Sequence, residues 1–480
     1  MLNLIFALFS GLVGGLIVAL MPRVRSRIRN LVVLLFTILG AVFNWRVALS
    51  VFSGENISIA GEIAGLSWSI TPDPLGAVFA LIASSLWVFA AIYSFGYMDS
   101  KHNQRSYYSF LLMALSVTLG VAFSGNLVAL YLFYELLTFV TYPLVIHERS
   151  PKAMKAGSKY ILYSLSGAGA ILIAIIITYN WTGSLDFSSG AILADYSGPG
   201  LNWLLGLFVV GFGVKAAIMP LHGWLPGAMV APTPVSALLH AVAVVYSGAY
   251  GITRVVYSVF GHELVGQLGL GQIMPWVIGF TILMGVIIAL RQDVLKGRLA
   301  YQTVSHLSYI LLGVFSLQPW GLAGAIMHMI SYSTLKVSLF FCAGIISEMT
   351  GEKLISRMGG VGKRLPKTMV VFSIATLGMI GMLPLNTFWG KYYLMKGSVE
   401  SGRWQLAVVL ILSGIINAFC FVPVIVDAFR GEKVEGNLEK GRRHSLMLVP
   451  TVILAIVSLL IGLWPGIVWP GVMAVVNWFY

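Results

Sequence analysis

Residues 201–254 read LNWLLGLFVVGFGVKAAIMPLHGWLPGAMVAPTPVSALLHAVAVVYSGAYGITR. Two apolar runs, 201–219 and 234–259, flank a stretch in which Pro220, Pro226, Pro232 and Pro234 remove backbone donors within fifteen residues. Lys215 lies inside the first run. A helix broken beside a lysine is tolerated at membrane depth only where the freed groups are buried in protein or line a hydrated cavity. The stretch therefore predicts an all-α polytopic membrane protein with a polar interior.

The rest of the chain agrees. Of its 480 residues 58% are apolar and 10% charged, with a mean hydropathy of +0.89. Soluble domains carry about 25% charged residues, so 30 basic and 17 acidic side chains are too few to build a water-facing surface. Cys342 and Cys420 sit in apolar runs with no Cys-x-x-Cys pair, which excludes a disulfide framework and a zinc or iron–sulfur site on ligand count. The net charge of +13 reads as an excess of Lys and Arg in cytoplasmic loops rather than as a nucleic-acid surface.

A hydrocarbon core of about 30 Å needs about 20 apolar residues per helix. Cutting the chain at charges and at Gly/Pro clusters gives fourteen segments, near 2–21, 30–52, 74–98, 107–124, 126–146, 157–179, 201–219, 234–259, 273–290, 300–316, 321–346, 368–396, 404–427 and 445–464. The first segment is followed by Arg23, Arg25, Arg27 and Arg29 rather than by a small-residue cleavage site, and is expected to be a retained span. Counting Lys159, odd-numbered loops hold 23 Lys and Arg, whereas the even-numbered ones hold only Lys396 and Arg403. This asymmetry places the odd loops in the cytoplasm and both termini outside, in the cell membrane. Residues 53–73 alternate enough for an outer β-hairpin, and 465–480 is expected at the outer interface.

Five basic residues remain within spans: Arg46, Lys215, Arg254, Lys336 and Lys391. Arg46 and Arg254 fall towards the outer ends of their helices, where long side chains snorkel to headgroups. Among the acids, Glu135 is expected well inside a span. Each ionised group at the bilayer centre costs about 2.5–3.5 kcal/mol, so Glu135 with the three lysines needs compensation. Together with His240, His306 and His328 at similar depth, they suggest a hydrated path for protons or ions rather than a single packing ion pair.

The twelfth segment repeats the device of the seventh. ATLGMIGMLPLNTFWGKYYL places glycines, Pro384 and Asn386 in mid-span, with Lys391 beyond. Two interrupted spans, five helices apart, suggest two inverted five-helix halves at 107–259 and 273–427, preceded by 1–106 and followed by 445–480.

The stretch from Lys215 to Arg254 resembles the core motif of the proton-conducting, antiporter-like membrane subunits shared by respiratory NADH:quinone oxidoreductases, Mrp-type cation/proton antiporters and membrane-bound hydrogenases. LYLFYELLTFVTYPL, KGRLAYQTVSHLSYILLG and MHMISYSTLKVSLFFCAGII resemble further blocks of that family in order and spacing. The resemblance, over about 100–430, implies a proton path in which Glu135, Lys215, Lys336 and Lys391 match the family's charged positions. His240 and His328 match histidines found in many members, and His306 lies in the block entering the tenth helix. It also departs twice. Tyr246 stands where many members have an eighth-helix lysine, and Tyr332 where a second eleventh-helix histidine is common. Tyrosine relays a hydrogen bond without carrying positive charge. Two readings follow: a relay through His240 and Tyr246, or a subunit that supports its assembly without conducting.

The implied mechanism is a charge relay. Separating Lys215 from Glu135 would leave the lysine a poorer base, and its proton would pass by water and His240 to Lys336 and then Lys391. The chain supplies no driving chemistry. GGVGKR at 359–364 lacks the Ser or Thr of a phosphate loop, and no flavin, haem or cluster ligands stand out, so no cofactor is expected here. The resemblance implies other integral membrane subunits and a cytoplasmic electron-transfer arm as partners. The alternative is a component of an Mrp-type Na⁺/H⁺ antiporter without redox coupling.

Overall fold

The computed structural model describes residues 1–22, 26–63, 65–187, 190–431 and 442–480. Arg23 and Arg25 of the first expected cytoplasmic loop, and Lys433 and Lys440 of the loop 428–444, lie outside the described residues. The chain runs through α1 (Leu2–Leu20), α2 (Ser26–Phe52), β1 (Ile59–Ile63), β2 (Leu66–Ile70), α3 (Pro74–Tyr97), α4 (Gln104–Ala122), α5 (Leu127–Val145) and α6 (Pro151–Thr182). It continues with α7 (Leu201–Lys215), α8 (Thr233–Ala241), α9 (Val244–Arg254), α10 (His262–Gln267), α11 (Gly269–Leu290), α12 (Leu295–Val314) and α13 (Pro319–Thr350). Then come α14 (Val361–Arg364), α15 (Pro366–Ile380), α16 (Thr387–Glu400), α17 (Trp404–Arg430), α18 (Arg442–Leu463) and α19 (Trp469–Phe479).

Local chemistry marks many of the ends. Asp73 accepts the Gly76 N–H at 2.9 Å with Pro74 as the first helical residue of α3, and Ser150 caps α6 ahead of Pro151 in the same way. Asn126 caps α5 and also donates to the Ser67 carbonyl at 3.0 Å, tying the hairpin to the bundle. The hairpin is antiparallel, with Ile59 opposite Ile70 and Ile63 opposite Leu66.

Ten helical runs among the described residues are long and apolar enough to cross a membrane. The other four expected segments fail that measure for two physical reasons. α4 and α12 carry polar residues such as Gln104, Arg105, Lys296, Arg298 and Gln302, whereas the seventh and twelfth segments are divided into shorter helices. Burial identifies the axis. The most apolar window of 233–260 is wholly buried and that of α13 is 94% buried, while α1, α2, α6 and α17 bury only 39% of theirs and present the remainder outward. The histidines and lysines singled out above therefore belong to, or pack against, the innermost elements.

Candidate functional site

α7 stops on Lys215. Ala217 takes a left-handed φ of 55°, its N–H donates to the Val214 carbonyl at 3.2 Å, and the Ile218 N–H reaches back to Gly213 at 3.0 Å. These two bonds form a Schellman motif, here with alanine where glycine is usual. The Trp224 indole N–H also donates to Val214, at 2.7 Å. Gly248 of α9 presses on this turn: a Cβ there would lie 2.3 Å from the Ala216 nitrogen and 2.8 Å from the Lys215 carbonyl carbon. The last turn of a helix favours a cation, and Lys215 is fully buried there. Its Nζ donates to the Tyr134 carbonyl at 2.5 Å and stands 3.4 Å from the centre of the Tyr134 ring.

Glu135 is the next residue of α5. It interacts electrostatically with Lys215, but the two form no ion pair within 4.0 Å. The Glu135 Oε1 is buried without a hydrogen-bond partner. The lysine is thus turned onto the backbone beside the glutamate rather than onto its carboxylate.

α15 ends by the same device. Gly381, at φ 96°, donates to Gly378 at 2.8 Å, and Met382 donates to Leu377 at 3.2 Å. Lys391 of α16 returns across this end, donating to the Met379 and Ile380 carbonyls at 3.0 and 2.7 Å. Its Nζ lies 5.4 Å from the Tyr309 ring centre. Asn386, within the break, accepts from Ser458 of α18 at 2.9 Å and exchanges hydrogen bonds with Ser331 of α13. A lysine thus meets each broken helix at its electronegative end, once from its own last turn and once from the following helix.

Lys336, fully buried on α13, donates to the Leu299 carbonyl of α12 at 2.5 Å and lies 5.4 and 5.5 Å from the ring centres of Tyr332 and Phe340. Tyr332 in turn stacks at 4.7 Å on His306. His306 Nδ1 and His328 Nε2 are 3.2 Å apart, and both rings contact Tyr309. Lys336, His306, His328 and Lys391 are therefore linked through the tyrosines into one buried cluster.

His240 and Tyr246 stand apart from it. Both ring nitrogens of the fully buried His240 lack hydrogen-bond partners. Its ring lies 5.5 Å from Phe340, the ring that Lys336 also approaches. Tyr246 donates to the Met329 carbonyl at 3.1 Å, anchoring α9 to α13. A third interruption lies here: α8 ends at Ala241, one residue beyond His240, and α9 starts at Val244.

One expectation is overturned. Arg254 does not reach the interface. It is 1% exposed, and its guanidinium is bidentate on Asp73, with Nη2–Oδ1 at 2.6 Å, while Nε and Nη2 also take the Tyr250 hydroxyl. Asp73, expected at the end of the outer hairpin, is accordingly a buried acid, 7% exposed. The guanidinium fork suits a carboxylate, and a cap residue at the start of α3 supplies one. Arg46, by contrast, is exposed beside Phe43.

Sequence reasoning also missed Gln302 and Asn417, which extend the histidine cluster along α12 and onto α17. A signal existed for Asn417, a lone amide in the middle of an otherwise greasy segment. None existed for the break at 242–243, where AVAVV contains neither proline nor glycine.

Comparison with known proteins adds to this geometry. Residues 124–416 match the family described as NADH:quinone oxidoreductase/Mrp antiporter, TM. The chain is 32% identical over 409 residues to NADH-quinone oxidoreductase subunit N of Desulforudis audaxviator, covering 82% of this chain and 81% of that one. It is 28% identical over 429 residues to a Na⁺/H⁺ antiporter subunit of Bacillus subtilis, covering 88% and 86%. A chain of the Mrp complex from a Dietzia species shares the fold, with a TM-score of 0.88 at 20% identity over 100% of this chain and 98% of that one.

Proposed function

This chain belongs to the NADH:quinone oxidoreductase/Mrp antiporter transmembrane family, and on that premise we propose that it is a proton-translocating subunit of a multi-subunit membrane complex. One contrast carries the reading. Arg254 and Asp73 show what a fixed internal ion pair looks like in this bundle, with each guanidinium nitrogen matched to an acceptor. The three lysines are held differently, by one or two backbone carbonyls and an aromatic face, and among the described residues none has a carboxylate at ion-pair distance. Such contacts retain an ammonium without locking it. A cation over a desolvated ring gains about 2 kcal/mol, less than the roughly 2.5–3.5 kcal/mol cost of a charge at the bilayer centre.

The relay runs from Glu135 and Lys215 by way of His240 to Lys336, His306 and His328, and leaves by Lys391. The unpartnered Glu135 Oε1 and His240 nitrogens are the positions where water would join the parts, because a buried polar atom left unsatisfied costs about 1–3 kcal/mol. A push that parts Lys215 from the field of Glu135 leaves the ammonium without compensation, and its proton moves on. In this reading the fourteen segments span the membrane, the fourth to eighth and the ninth to thirteenth forming two inverted five-helix halves, with both termini outside and the odd-numbered loops in the cytoplasm.

In this reading the chain's buried residues move protons and redox chemistry belongs to partners, and the similarity to an oxidoreductase subunit favours a cytoplasmic electron-transfer arm among them. The second reading, an Mrp-type antiporter component without redox coupling, is favoured by the larger share of both chains matched by the antiporter relative. Copurification separates the two: redox subunits support the first, small membrane subunits alone the second. The test of the common core is proton uptake by the assembled complex in vesicles. Glu135→Gln and Lys215→Ala should each abolish it while leaving any partner redox reaction with artificial acceptors; uptake retained in both removes these residues from the path.

A further inference from the structure

His306 and His328 share one hydrogen bond, Nδ1 of the first to Nε2 of the second at 3.2 Å, with ring planes 4° apart. Only one of those two atoms carries the proton that joins them, and the groups beyond decide which. His306 Nε2 faces the Asn417 side-chain nitrogen at 3.4 Å. The Asn417 Oδ1 accepts from Gln302 Nε2 at 2.8 Å. An amide nitrogen only donates and its oxygen only accepts. With its oxygen occupied by Gln302, Asn417 has only N–H to offer His306, so His306 Nε2 must be bare.

The remainder follows along the chain. Neutral His306 then carries its proton on Nδ1 and donates it to His328 Nε2. His328 must hold its own proton on Nδ1, a buried atom with no hydrogen-bond partner. All four side chains are fully buried, on α12, α13 and α17, so the polarity set at one end is transmitted to the other. Reversing it requires both amides to rotate together.

We propose that Asn417, oriented by Gln302, is the positioning residue that sets both imidazoles as Nδ1–H tautomers and presents His328 as a donor at the free end of the chain. The proposal rests on the reading that these histidines lie in the proton path. Side-chain amides do not take up or release protons near neutral pH, so the same pair closes the α12–α17 side of the histidines to proton exchange. Protons then exchange with the pair only at its His328 end, and His306 acts on the relay through His328.

The test is ¹⁵N NMR of histidine-labelled protein in its assembled complex in lipid, since bare and protonated imidazole nitrogens differ widely in shift, paired with proton uptake. Both His306 and His328 are expected as Nδ1–H. Asn417→Asp keeps the shape but, ionised, only accepts, so it should draw the His306 proton to Nε2 and leave His328 Nδ1 bare. Uptake should fall about tenfold, the scale of one misplaced hydrogen bond. Gln302→Leu, an apolar change on a different helix, frees Asn417 to rotate and should give mixed tautomers. An Nε2–H signal from either histidine in the unmodified protein, or unchanged tautomers in both variants, overturns the assignment. Altered tautomers with full uptake in both variants and in His328→Ala would instead overturn the path reading and leave the tautomer assignment standing.

Discussion

Gly381 and Lys391 are in contact where α15 ends: a Cβ at position 381 would lie 2.8 Å from the Lys391 Cδ and 3.2 Å from its Nζ. The residue at 381 also holds a φ of 96°. Glycine is required there twice, once for the left-handed backbone and once for the room through which the lysine reaches the Met379 and Ile380 carbonyls.

Gly381→Ala is therefore expected to displace the Lys391 ammonium, lowering stability by about 1–2 kcal/mol and proton uptake by roughly tenfold or more. Ala217→Gly provides the opposite comparison, since alanine already occupies the left-handed position after α7; it should raise stability by about 1 kcal/mol. Thermal unfolding and vesicle uptake measured on both variants check this. A Gly381→Ala protein with normal uptake would show that Lys391 does not depend on that turn.

The Tyr246 hydroxyl donates to the Met329 carbonyl and shares no hydrogen bond with a side chain of the relay among the described residues. Tyr246→Phe should lower stability by about 1 kcal/mol, as for one lost buried hydrogen bond, and change proton uptake by no more than about twofold. A much larger loss of uptake with little loss of stability would place the hydroxyl in the relay.

Asp73→Asn leaves the Arg254 guanidinium buried without its countercharge. Breaking such a pair from one side costs about 3–5 kcal/mol, so the variant should unfold at markedly lower temperature or fail to accumulate in membranes. The double variant Asp73→Asn, Arg254→Leu should recover part of that loss. Equal stability of Asp73→Asn and the parent would contradict the geometry.

In the loop between α11 and α12, the exposed Asp293 carboxylate accepts the Ser356 hydroxyl at 2.7 Å and the Ser356 N–H at 2.9 Å. These bonds, with Arg298 and Arg357 nearby, hold its carboxyl below the usual aspartate value. A depressed folded-state value means that the contact stabilises above the unfolded pKa of about 3.9 and is lost as pH falls through the lower folded value. Protection of the Ser356 amide from hydrogen exchange, corrected for the intrinsic rate, should be level from about pH 5 upward. A loss beginning near neutrality would exclude this carboxylate as its holder.

The helix interruptions differ in how far they could be read in advance. Pro220, Gly381 and Pro384 are local obstacles to a helix, and they act wherever the chain is placed. The interruption after His240 lies in AVAVV, which has no such obstacle; tertiary packing overrides a segment that is by itself compatible with continuous helix. Arg254 was misplaced for a related reason. Hydropathy reports how far along its helix a residue lies, but its partner, Asp73, is 181 positions away.

Local composition alone determined that the chain lies in a membrane, where most of its spans fall, and which few titratable groups enter them, because transfer free energies and backbone donors belong to each residue separately. Only the folded bundle decided that Lys215 rests on Tyr134 rather than on Glu135, that Lys391 closes the end of α15, and that Asn417 meets His306. Those contacts depend on the rotation and depth of one helix against another, which long-range packing of the whole bundle sets and no single segment encodes.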